Sequence, residues 1–479
     1  MKTSRIRRRR MTAVVLALTA VSAANLSGHA EEDGPAVFSV PIKLEKSDGG
    51  TEPRLAIGPD GKRWVVTNRS ERAVVYGSED GLSWTRAKTE PAGQRMPTID
   101  VDIVATRTGR LIATELDFAG VGLRVSWSDD GGDTWNLSVG STLVDQDRQW
   151  LAVGRDDPLT GLPRVYLLWH NLASGFASHN MWVQTSIDNG ATFGAPVPIT
   201  LPGSQAFLDL QCANSGGPDE FQVNPETGQL YALWGARAAP VGGGCVASID
   251  SPQFNIIASN RLWLATSPDG SPGSWETTLV VDRADTNQVV TMQQADMSLD
   301  RAGNVYVLYP EAPNPYPDFS GAALLYKWAP PGIEHWSEPK PVKAAGGPGN
   351  VLPNITAGDP GMLDIVWYAG ETAPNGKHYW YTTFAQVTGA MSQDPVLEIQ
   401  RIANFPAYEG TAAELMGTCD AGPGGGIKSG LLCSRATDVW GTTLDHECNL
   451  IAAWPAVTNG GGGKAGTYIS TQISGRKIC

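Results

Sequence analysis

The sequence predicts an all-β protein, a single β-propeller of four-stranded blades, with seven blades expected and six as the alternative. Two repeated patterns and the composition predict this fold: an eight-residue turn motif, a longer strand–turn–strand pattern, and an excess of turn-forming residues. The 479 residues include 55 Gly and 33 Pro, and 18% are charged. The Gly residues follow no three-residue period, which excludes collagen, and a hydrophobic fraction of 41% excludes a wholly disordered chain.

The short motif predicts a hairpin turn. Ser128–Trp135 and Ser186–Phe193 both read S-x-D-x-G-x-T-[WF], and Ser78–Trp84 and Ser267–Trp275 are looser copies. The Asp carboxylate can accept N–H bonds of its own turn, Gly supplies a positive φ, and the aromatic ring packs beneath the turn. We therefore interpret the motif as structural.

The longer pattern consists of an apolar strand, a D/N-x-x-G turn and a second strand that ends in aromatic residues. The interval between copies is roughly 48 to 87 residues. The copies begin at Leu55, Ile103, Leu151, Phe221, Met297, Ile355 and, in degenerate form, at about Thr442. Seven such copies, with no helical periodicity between them, predict seven four-stranded sheets.

The chain ends predict how the ring closes. Outermost strands are expected at Phe193–Thr200 and Trp336–Val342, but the last repeat ends near Gly466–Gln472 without one. The segment Val37–Leu44 matches the missing strand. We therefore expect the N-terminal strand to complete the last blade, which would remove exposed sheet edges.

The first 30 residues predict export. Six basic residues precede a short apolar run, Met11–Ala23, and small residues follow as far as Ala30. This is the layout of a secretory signal peptide. Residues 1–30 are thus a predicted signal peptide and 31–479 the propeller. Cleavage takes the formal charge from −13 to −19, because it removes six basic and no acidic residues. This charge argues against nucleic acid and anionic membranes as partners, and we expect a secreted, extracellular monomer without membrane insertion.

The six cysteines of an exported chain predict disulfide bonds. Cys212 and Cys245 flank one glycine-rich region, and the other four cluster near the C-terminus. The expected pairs are Cys212–Cys245, Cys419–Cys433 and Cys448–Cys479. A zinc site is disfavoured because the sequence contains no C-x-x-C and only six scattered His. No cofactor is expected, although a structural calcium ion is compatible with the sequence.

The candidate site lies where the inner strands begin, at one mouth of the central channel. Alignment of the repeats puts one set of residues at equivalent positions: Arg54, Asp102, Trp150, Glu220, Asp296, Asn354 and, approximately, Gly441. A second set lies two residues earlier: Glu52, Asp100, Arg148 and Gln294. Carboxylates could act as acid, base or nucleophile, Arg could orient polar groups, and Trp could stack on a sugar ring. Alternatively, these acids cap strand starts, bind a channel ion or face water.

The eight-residue turns are identified as Asp boxes, and nearly the whole chain resembles the sialidase-like, or BNR-repeat, propellers of secreted bacterial proteins. The resemblance implies a carbohydrate-active protein with its site opposite the Asp-box face. Arg54 is placed like the first sialidase arginine, and Glu220 and Arg237 resemble the family's Glu and second arginine. The pattern departs from sialidases at Gln294 and Asp296, where the third arginine is expected, and at Asn354, which replaces the Tyr.

The excess of carboxylates over arginines favours a neutral polysaccharide over a sialoside, because like charges repel in a buried site. We hypothesise a glycoside hydrolase acting on an extracellular poly- or oligosaccharide. Its catalytic carboxylates would be Asp102, Glu220 and Asp296, and its substrate contacts would be Arg54, Asp100, Arg148, Trp150, Arg237, His170 and Tyr368. The alternatives are a non-catalytic glycan- or protein-binding propeller, an exo-sialidase, and a polysaccharide lyase that uses His170 and Tyr368. Tyr368 could equally be a core aromatic, and His170 a hydrogen-bonding loop residue.

Overall fold

The protein is described from a computed structural model. The described residues are 34–47, 50–69, 72–91, 100–117, 122–143, 145–171, 179–212, 217–239, 258–292, 294–315, 320–415, 440–457 and 466–479. The predicted signal peptide, Cys245, Cys419 and Cys433 lie outside them.

Seven antiparallel sheets form the blades, which confirms the predicted seven-bladed propeller. From the inner strand outwards, blade 1 contains Gly50–Ile57, Arg63–Arg69, Ala73–Ser78 and Thr85–Arg86. Blade 2 contains Val101–Ala105, Leu111–Asp117, Gly122–Ser128 and Asn136–Leu137. Blade 3 contains Gln146–Asp156, Pro163–Asn171, Met181–Ser186 and Val197–Pro198. Blade 4 contains Pro218–Val223, Leu230–Ala236, Arg261–Ser267 and Glu276–Asp282. Blade 5 contains Asp296–Leu299, Val305–Glu311, Ala323–Ala329 and Lys340–Lys343. Blade 6 contains Asn350–Ala357, Met362–Thr372, His378–Thr388 and Val396–Arg401, and Tyr408–Glu409 also pairs with its third strand.

Blade 7 closes the ring as the sequence predicted. Its inner three strands are Gly441–Leu444, Leu450–Ala456 and Gly466–Ser474. The N-terminal segment pairs antiparallel with the third strand in two short pieces, Val37–Phe38 and Ile42–Lys43, and the register shifts within the first piece, between Val37 and Phe38. The first and last parts of the propeller therefore share one sheet.

A few elements differ from the sequence-based expectations. The fourth strands of blades 3 and 5 are shorter than the predicted segments, since Pro residues within those segments cannot donate to a ladder. Two short helices, Gln205–Leu210 and Ala412–Leu415, and a two-stranded sheet of Ala258–Ser259 and Thr291–Met292 lie in connections between or within blades.

Antiparallel pairing assigns the connections to two faces. The inner strands begin on one face, and the turns between strands 1 and 2 and between strands 3 and 4 lie on the other. The repeated turns therefore lie opposite the inner-strand starts. In both full copies the Asp accepts from the Thr backbone, with Thr134 N to Asp130 Oδ1 and Thr192 N to Asp188 Oδ1 each 2.8 Å. The predicted turn chemistry is thus present in both blades.

The hydrophobic core is divided among the seams between blades. Seven clusters of buried residues occur in the described part of the chain, and each joins two neighbouring blades. The cluster between blades 7 and 1, for example, contains Ile451 and Ile469 from one blade and Val65 and Tyr76 from the other. Burial against both neighbours fixes the angular position of each blade.

Of the predicted disulfides, the described residues contain Cys448–Cys479, which confirms that pair. Cys212 is also disulfide-bonded, and its predicted partner, Cys245, lies outside the described residues. No helix among the described residues is long and apolar enough to cross a membrane.

A buried carboxyl–amide pair lies in blade 6. Asp364 and Gln386 are cross-strand neighbours, and Gln386 Nε2 donates to Asp364 Oδ1 at 3.1 Å. The other oxygens of these two side chains, Asp364 Oδ2 and Gln386 Oε1, have no partner in the described structure. Burial raises the pKa of Asp364 to about 7.

We predict that deletion of residues 34–44 exposes the edge strand Gly466–Ser474 and makes the protein associate. The deletion removes the two ladder segments that cover this edge. Sedimentation velocity should show oligomers, thermal unfolding should shift to lower temperature, and a peptide spanning residues 34–46 added in trans should reverse both effects. A monomer with unchanged thermal stability would contradict the closure role.

We predict that Asp364→Asn flattens the pH dependence of stability. In the wild type the folded state holds the Asp364 proton to a higher pH than the unfolded state, so the free energy of unfolding falls as pH rises from about 4 to about 7. The variant should remove a slope of about 1 kcal/mol per pH unit in that window. Urea unfolding at pH 5 to 8 measures this slope; Asp394→Asn, an exposed change in the same blade, is the control and should retain it.

Candidate functional site

The inner-strand starts converge as the alignment predicted. Asp102 Oδ2 accepts from Leu151 N of the next blade at 2.7 Å, and Asp296 Oδ2 accepts from Ile355 N of the next blade at the same distance. Each carboxylate also accepts from the backbone N–H that follows it in its own strand. The two Asp residues therefore occupy equivalent positions and tie neighbouring inner strands together.

Arg54 joins three other blades at the channel mouth. Its Nε lies 3.4 Å from Asp102 Oδ1, its Nη2 lies 3.3 Å from Glu220 Oε2, and its Nη1 donates to Trp440 O at 3.4 Å. The side chain is 16% exposed, whereas those of Asp102 and Glu220 are 5% and 7% exposed. We call Arg54, Asp102, Glu220 and Asp296 the Arg54 group.

Glu220 and Asp296 form a pair of carboxyl groups in hydrogen-bond contact. Burial raises the pKa of Glu220, and Arg54 opposes this shift. Burial together with the Glu220 carboxylate raises the pKa of Asp296 well above its usual range. Two adjacent carboxylates with one nearby guanidinium cannot both ionise without cost, so their surroundings favour a proton on one of the two groups.

A second buried cluster, the Arg148 group, consists of Glu52, Asp100 and Arg148. Arg148 Nη1 lies 2.9 Å from Glu52 Oε2 and 3.2 Å from Asp100 Oδ1. Burial raises the pKa of Asp100, and Arg148 opposes the shift. The guanidinium thus compensates charge that would otherwise be isolated in the protein interior.

The Arg148 group lies on strained backbone. Glu52 and Arg148 have φ values of 50° and 42°, and both lie where the register between strands 1 and 2 shifts. Leu352 has the same conformation at the corresponding bulge of blade 6. The left-handed region is unfavourable for residues with a Cβ, and such strain is concentrated at functional sites.

Trp150 connects the two groups. The guanidinium carbons of Arg54 and Arg148 lie over its ring at 4.1 Å and 5.0 Å from the centroid, and its Nε1 donates to Pro218 O at 2.7 Å. The side chain is fully buried. In this arrangement the indole orders two arginines by cation–π contact and offers no open face to a sugar.

His170 belongs to a relay at the edge of the Arg148 group. Its Nδ1 lies 2.8 Å from His179 Nε2, and His179 Nδ1 lies 3.1 Å from Leu210 O. A carbonyl only accepts, so His179 carries its proton on Nδ1 and, when neutral, accepts from His170 Nδ1. His170 Nε2 then faces Asp147 Oδ2 at 3.6 Å. His170 is thus held between a second His and Asp147.

The remaining two predicted contact residues lie elsewhere. Tyr368 is fully buried in the seam between blades 6 and 7, where its hydroxyl donates to Pro455 O at 2.7 Å and its ring stacks on Trp440. It packs as a core aromatic and does not share a cluster with His170. Arg237 directly follows the second strand of blade 4 and donates to Asn287 Oδ1 at 2.9 Å.

Sequence reasoning missed Asp219 and His179. Burial raises the pKa of Asp219 well above its usual range, and its carboxylate accepts from the backbone of Ala295 in the next blade. The signal for His179 is a mirrored pair, since His170-Asn171 ends one strand of blade 3 and His179-Asn180 precedes the next. Among the described residues, no group of three or more His, Cys, Asp or Glu is arranged to hold a metal ion.

We predict that Arg148→Met lowers the free energy of unfolding by about 3–5 kcal/mol, because it leaves two buried carboxyl groups without their cation. The loss should be larger at pH 8 than at pH 5, because burial raises the pKa of Asp100 and a proton on Asp100 relieves its need for the cation. Urea unfolding of the double variant Arg148→Met/Glu52→Gln tests the cause. If the two substitutions destabilise additively, Arg148 does not act through this carboxylate.

The comparisons with known proteins support the fold. No protein-family model matches the chain, and no curated protein matches it. The similar solved structures include a polysaccharide lyase, a PL25 ulvan lyase bound to -[GlcA(1-4)Rha3S]-, with 10% identity, a TM-score of 0.52, and 93% of this chain and 96% of that chain covered.

Two further structures show weaker similarity. A Penicillium chrysogenum α-L-arabinanase complexed with arabinobiose has 12% identity and a TM-score of 0.44, with 91% of this chain and 97% of that chain covered. A K499G mutant of NanB sialidase from Streptococcus pneumoniae has 9% identity and a TM-score of 0.43, with 92% and 71% covered. At 10% identity the ulvan lyase is similar in fold alone, and function depends on the residues of the site.

Proposed function

We propose that the protein is a secreted carbohydrate-active propeller, a glycoside hydrolase that acts on an extracellular poly- or oligosaccharide at the channel mouth. The observation that carries this proposal is the Arg54 group, in which one partly exposed guanidinium holds Asp102 and Glu220 while Glu220 contacts Asp296. The ulvan lyase of similar fold is bound to the saccharide -[GlcA(1-4)Rha3S]-. That likeness adds an analogy and assigns no role to a residue of this chain.

The Glu220–Asp296 pair supplies the proton that glycoside hydrolysis needs. Burial raises the pKa of both carboxyl groups, which favours the protonated form that can donate to the leaving glycosidic oxygen. Glu220 is the donor in this proposal because Arg54 connects it to the part of the group that reaches solvent. Asp296 shares the proton and positions Glu220.

Asp102 supplies the second carboxylate. Burial raises the pKa of Asp102, and Arg54 Nε and two backbone N–H groups oppose this shift by stabilising the ionised form. As the bond between the anomeric carbon and the glycosidic oxygen breaks, Asp102 stabilises the positive charge on the sugar. A water molecule then adds its oxygen to the anomeric carbon and returns a proton to the Glu220–Asp296 pair.

Disulfide bonding supports an extracellular location. Cys448–Cys479 and the disulfide of Cys212 are typical of oxidising compartments. This agrees with the basic and apolar N-terminal sequence that predicts a signal peptide.

A non-catalytic glycan-binding propeller is the second candidate. Asp102 and Asp296 each use both carboxylate oxygens on backbone N–H groups, which is what a purely structural acid at a strand start would do.

We predict that the mature protein releases products from a neutral glycan and that Glu220→Gln slows release by about 10²- to 10⁴-fold with little change in binding. The panel should contain neutral, uronic and sialylated glycans, with products followed by mass. Product release should also decline in alkaline solution as the Glu220–Asp296 pair loses its proton.

The matched control is Asp188→Asn, which alters a turn on the opposite face and should leave the rate unchanged. Glycan binding without turnover, equal in the wild type and Glu220→Gln, would favour the binding propeller. Release of sialic acid that is lost in Arg54→Ala would instead assign a sialidase.

A further inference from the structure

An open cavity of about 480 Å³ lies at the end of the channel opposite the Arg54 group. It is lined by the residues that end the inner strands of blades 4 to 7, which are Val223, Leu299, Ala357 and Leu444. Arg301 and both cysteines of the Cys448–Cys479 disulfide also line it. The disulfide therefore borders a space large enough to admit a small molecule.

Cys448 occupies a position at which the other blades have glycine. The turn between the first two strands of each blade contains one residue with a left-handed backbone. In blades 1 to 6 this residue is a glycine with φ between 66° and 84°: Gly61, Gly109, Gly161, Gly228, Gly303 and Gly361. In blade 7 it is Cys448, with a φ of 63°. This conformation is unfavourable for a residue with a Cβ, so the turn alone does not account for a cysteine here.

Arg301 directs a cation at the sulfur of Cys448. Its Nη2 donates to Cys448 Sγ at 3.7 Å. Blade 6 holds Arg301 at two points, because its backbone N donates to Gly358 O and its Nη1 donates to Asp359 Oδ1, each at 3.0 Å. A guanidinium beside a sulfur favours the thiolate over the thiol. Cys448 is therefore the better leaving group when the disulfide opens.

The disulfide also fixes a segment that connects the closing blade with its neighbours. Within residues 475–479, Ile478 O accepts from Asp359 N of blade 6 at 2.6 Å, and Arg476 N donates to Gly34 O of the N-terminal segment at 2.8 Å. The disulfide attaches the end of this segment to the turn of blade 7. Its opening would leave only non-covalent contacts to hold the segment in place.

We propose that the Cys448–Cys479 disulfide is a redox-active modification site that exchanges with low-molecular-weight thiols through the cavity, and that its opening frees residues 475–479 from blade 6. The site lies at the opposite end of the channel from the Arg54 group. It goes beyond the proposed function and does not depend on hydrolysis of a glycan.

The exchange proceeds in two steps. The thiolate of the small molecule attacks Cys479 Sγ, since Cys479 is half-buried whereas Cys448 is only 8% exposed. A new S–S bond forms, the Cys448–Cys479 bond breaks, and its electron pair remains on Cys448 Sγ beside Arg301. A second small-molecule thiolate then attacks the small-molecule sulfur of the mixed disulfide and releases Cys479. Two small thiols are thus oxidised to one disulfide while the protein disulfide is reduced to two thiols.

The test is to treat the mature full-length protein with glutathione, trap free thiols with iodoacetamide and map the peptides by mass. We expect Cys448–Cys479 to open about tenfold faster than the disulfide that contains Cys212. Glutathione should be found on Cys479 and the alkyl group on Cys448. Opening no faster than that of the Cys212 disulfide, or glutathione on Cys448, would overturn the proposal.

Arg301→Met removes the cation and should slow the opening about fivefold. The matched control is Arg107→Met. Arg107 has the corresponding turn position in blade 2, is exposed to a similar extent and pairs with Asp156 of the next blade, as Arg301 pairs with Asp359. It should leave the rate unchanged. Arg301→Lys retains the charge and should restore most of the rate, which a loss of packing alone would not explain. Equal rates in the two Met variants would refute the role of Arg301.

The double variant Cys448→Gly/Cys479→Ser tests the consequence of opening, because it lacks the disulfide and restores the glycine of the other blades. Hydrogen exchange at the amides of Asp359 and residues 475–479 should be about tenfold faster than in the oxidised wild type and equal to that in the reduced wild type. Glutathione should not change it further. Amides that stay as protected as in the oxidised wild type would show that the disulfide does not hold this segment.

Discussion

Closure of the seven-bladed ring is the constraint on which the rest of the structure depends. The N-terminal pieces Val37–Phe38 and Ile42–Lys43 pair with the last strand of the chain, so the first and last repeats become neighbours. Each blade is then packed on both faces, and seven interblade clusters fix its position. Closure also brings the starts of seven inner strands, which are far apart in sequence, to one axis.

That axis carries an unusual density of buried charge. Two arginines, Arg54 and Arg148, serve the carboxyl groups contributed by blades 1, 2, 4 and 5, and Trp150 lies against both guanidinium groups. Burial raises the pKa of the acids, so part of this charge is neutralised by protons rather than by cations. The burial that makes the cluster costly to fold also raises the pKa of its acids, which is a common feature of functional sites.

The residue positions at the mouth were predictable to different degrees. Arg54, Asp102, Glu220 and Asp296 were placed together by alignment of the repeats, because each blade repeats the same strand start. His179 and Asp219 escaped this reasoning, since their importance depends on contacts with Leu210 and Ala295 in other elements. Tyr368 was a candidate because it ends a strand; the direction of its side chain, into the seam of blades 6 and 7, follows only from packing.

The sequence by itself determined the blade number, the turn chemistry, the strand that closes the ring and the Cys448–Cys479 pair, because these depend on local periodicity and on repeats that can be compared with one another. Only the tertiary structure decided which charges neutralise each other. Arg148 binds Glu52 and Asp100, Arg54 lies between Asp102 and Glu220, and Gln294 and Asn354 keep unpaired amides. The physical reason is that the free energy of a buried charge or amide depends on atoms a few ångströms away, and those atoms come from other blades.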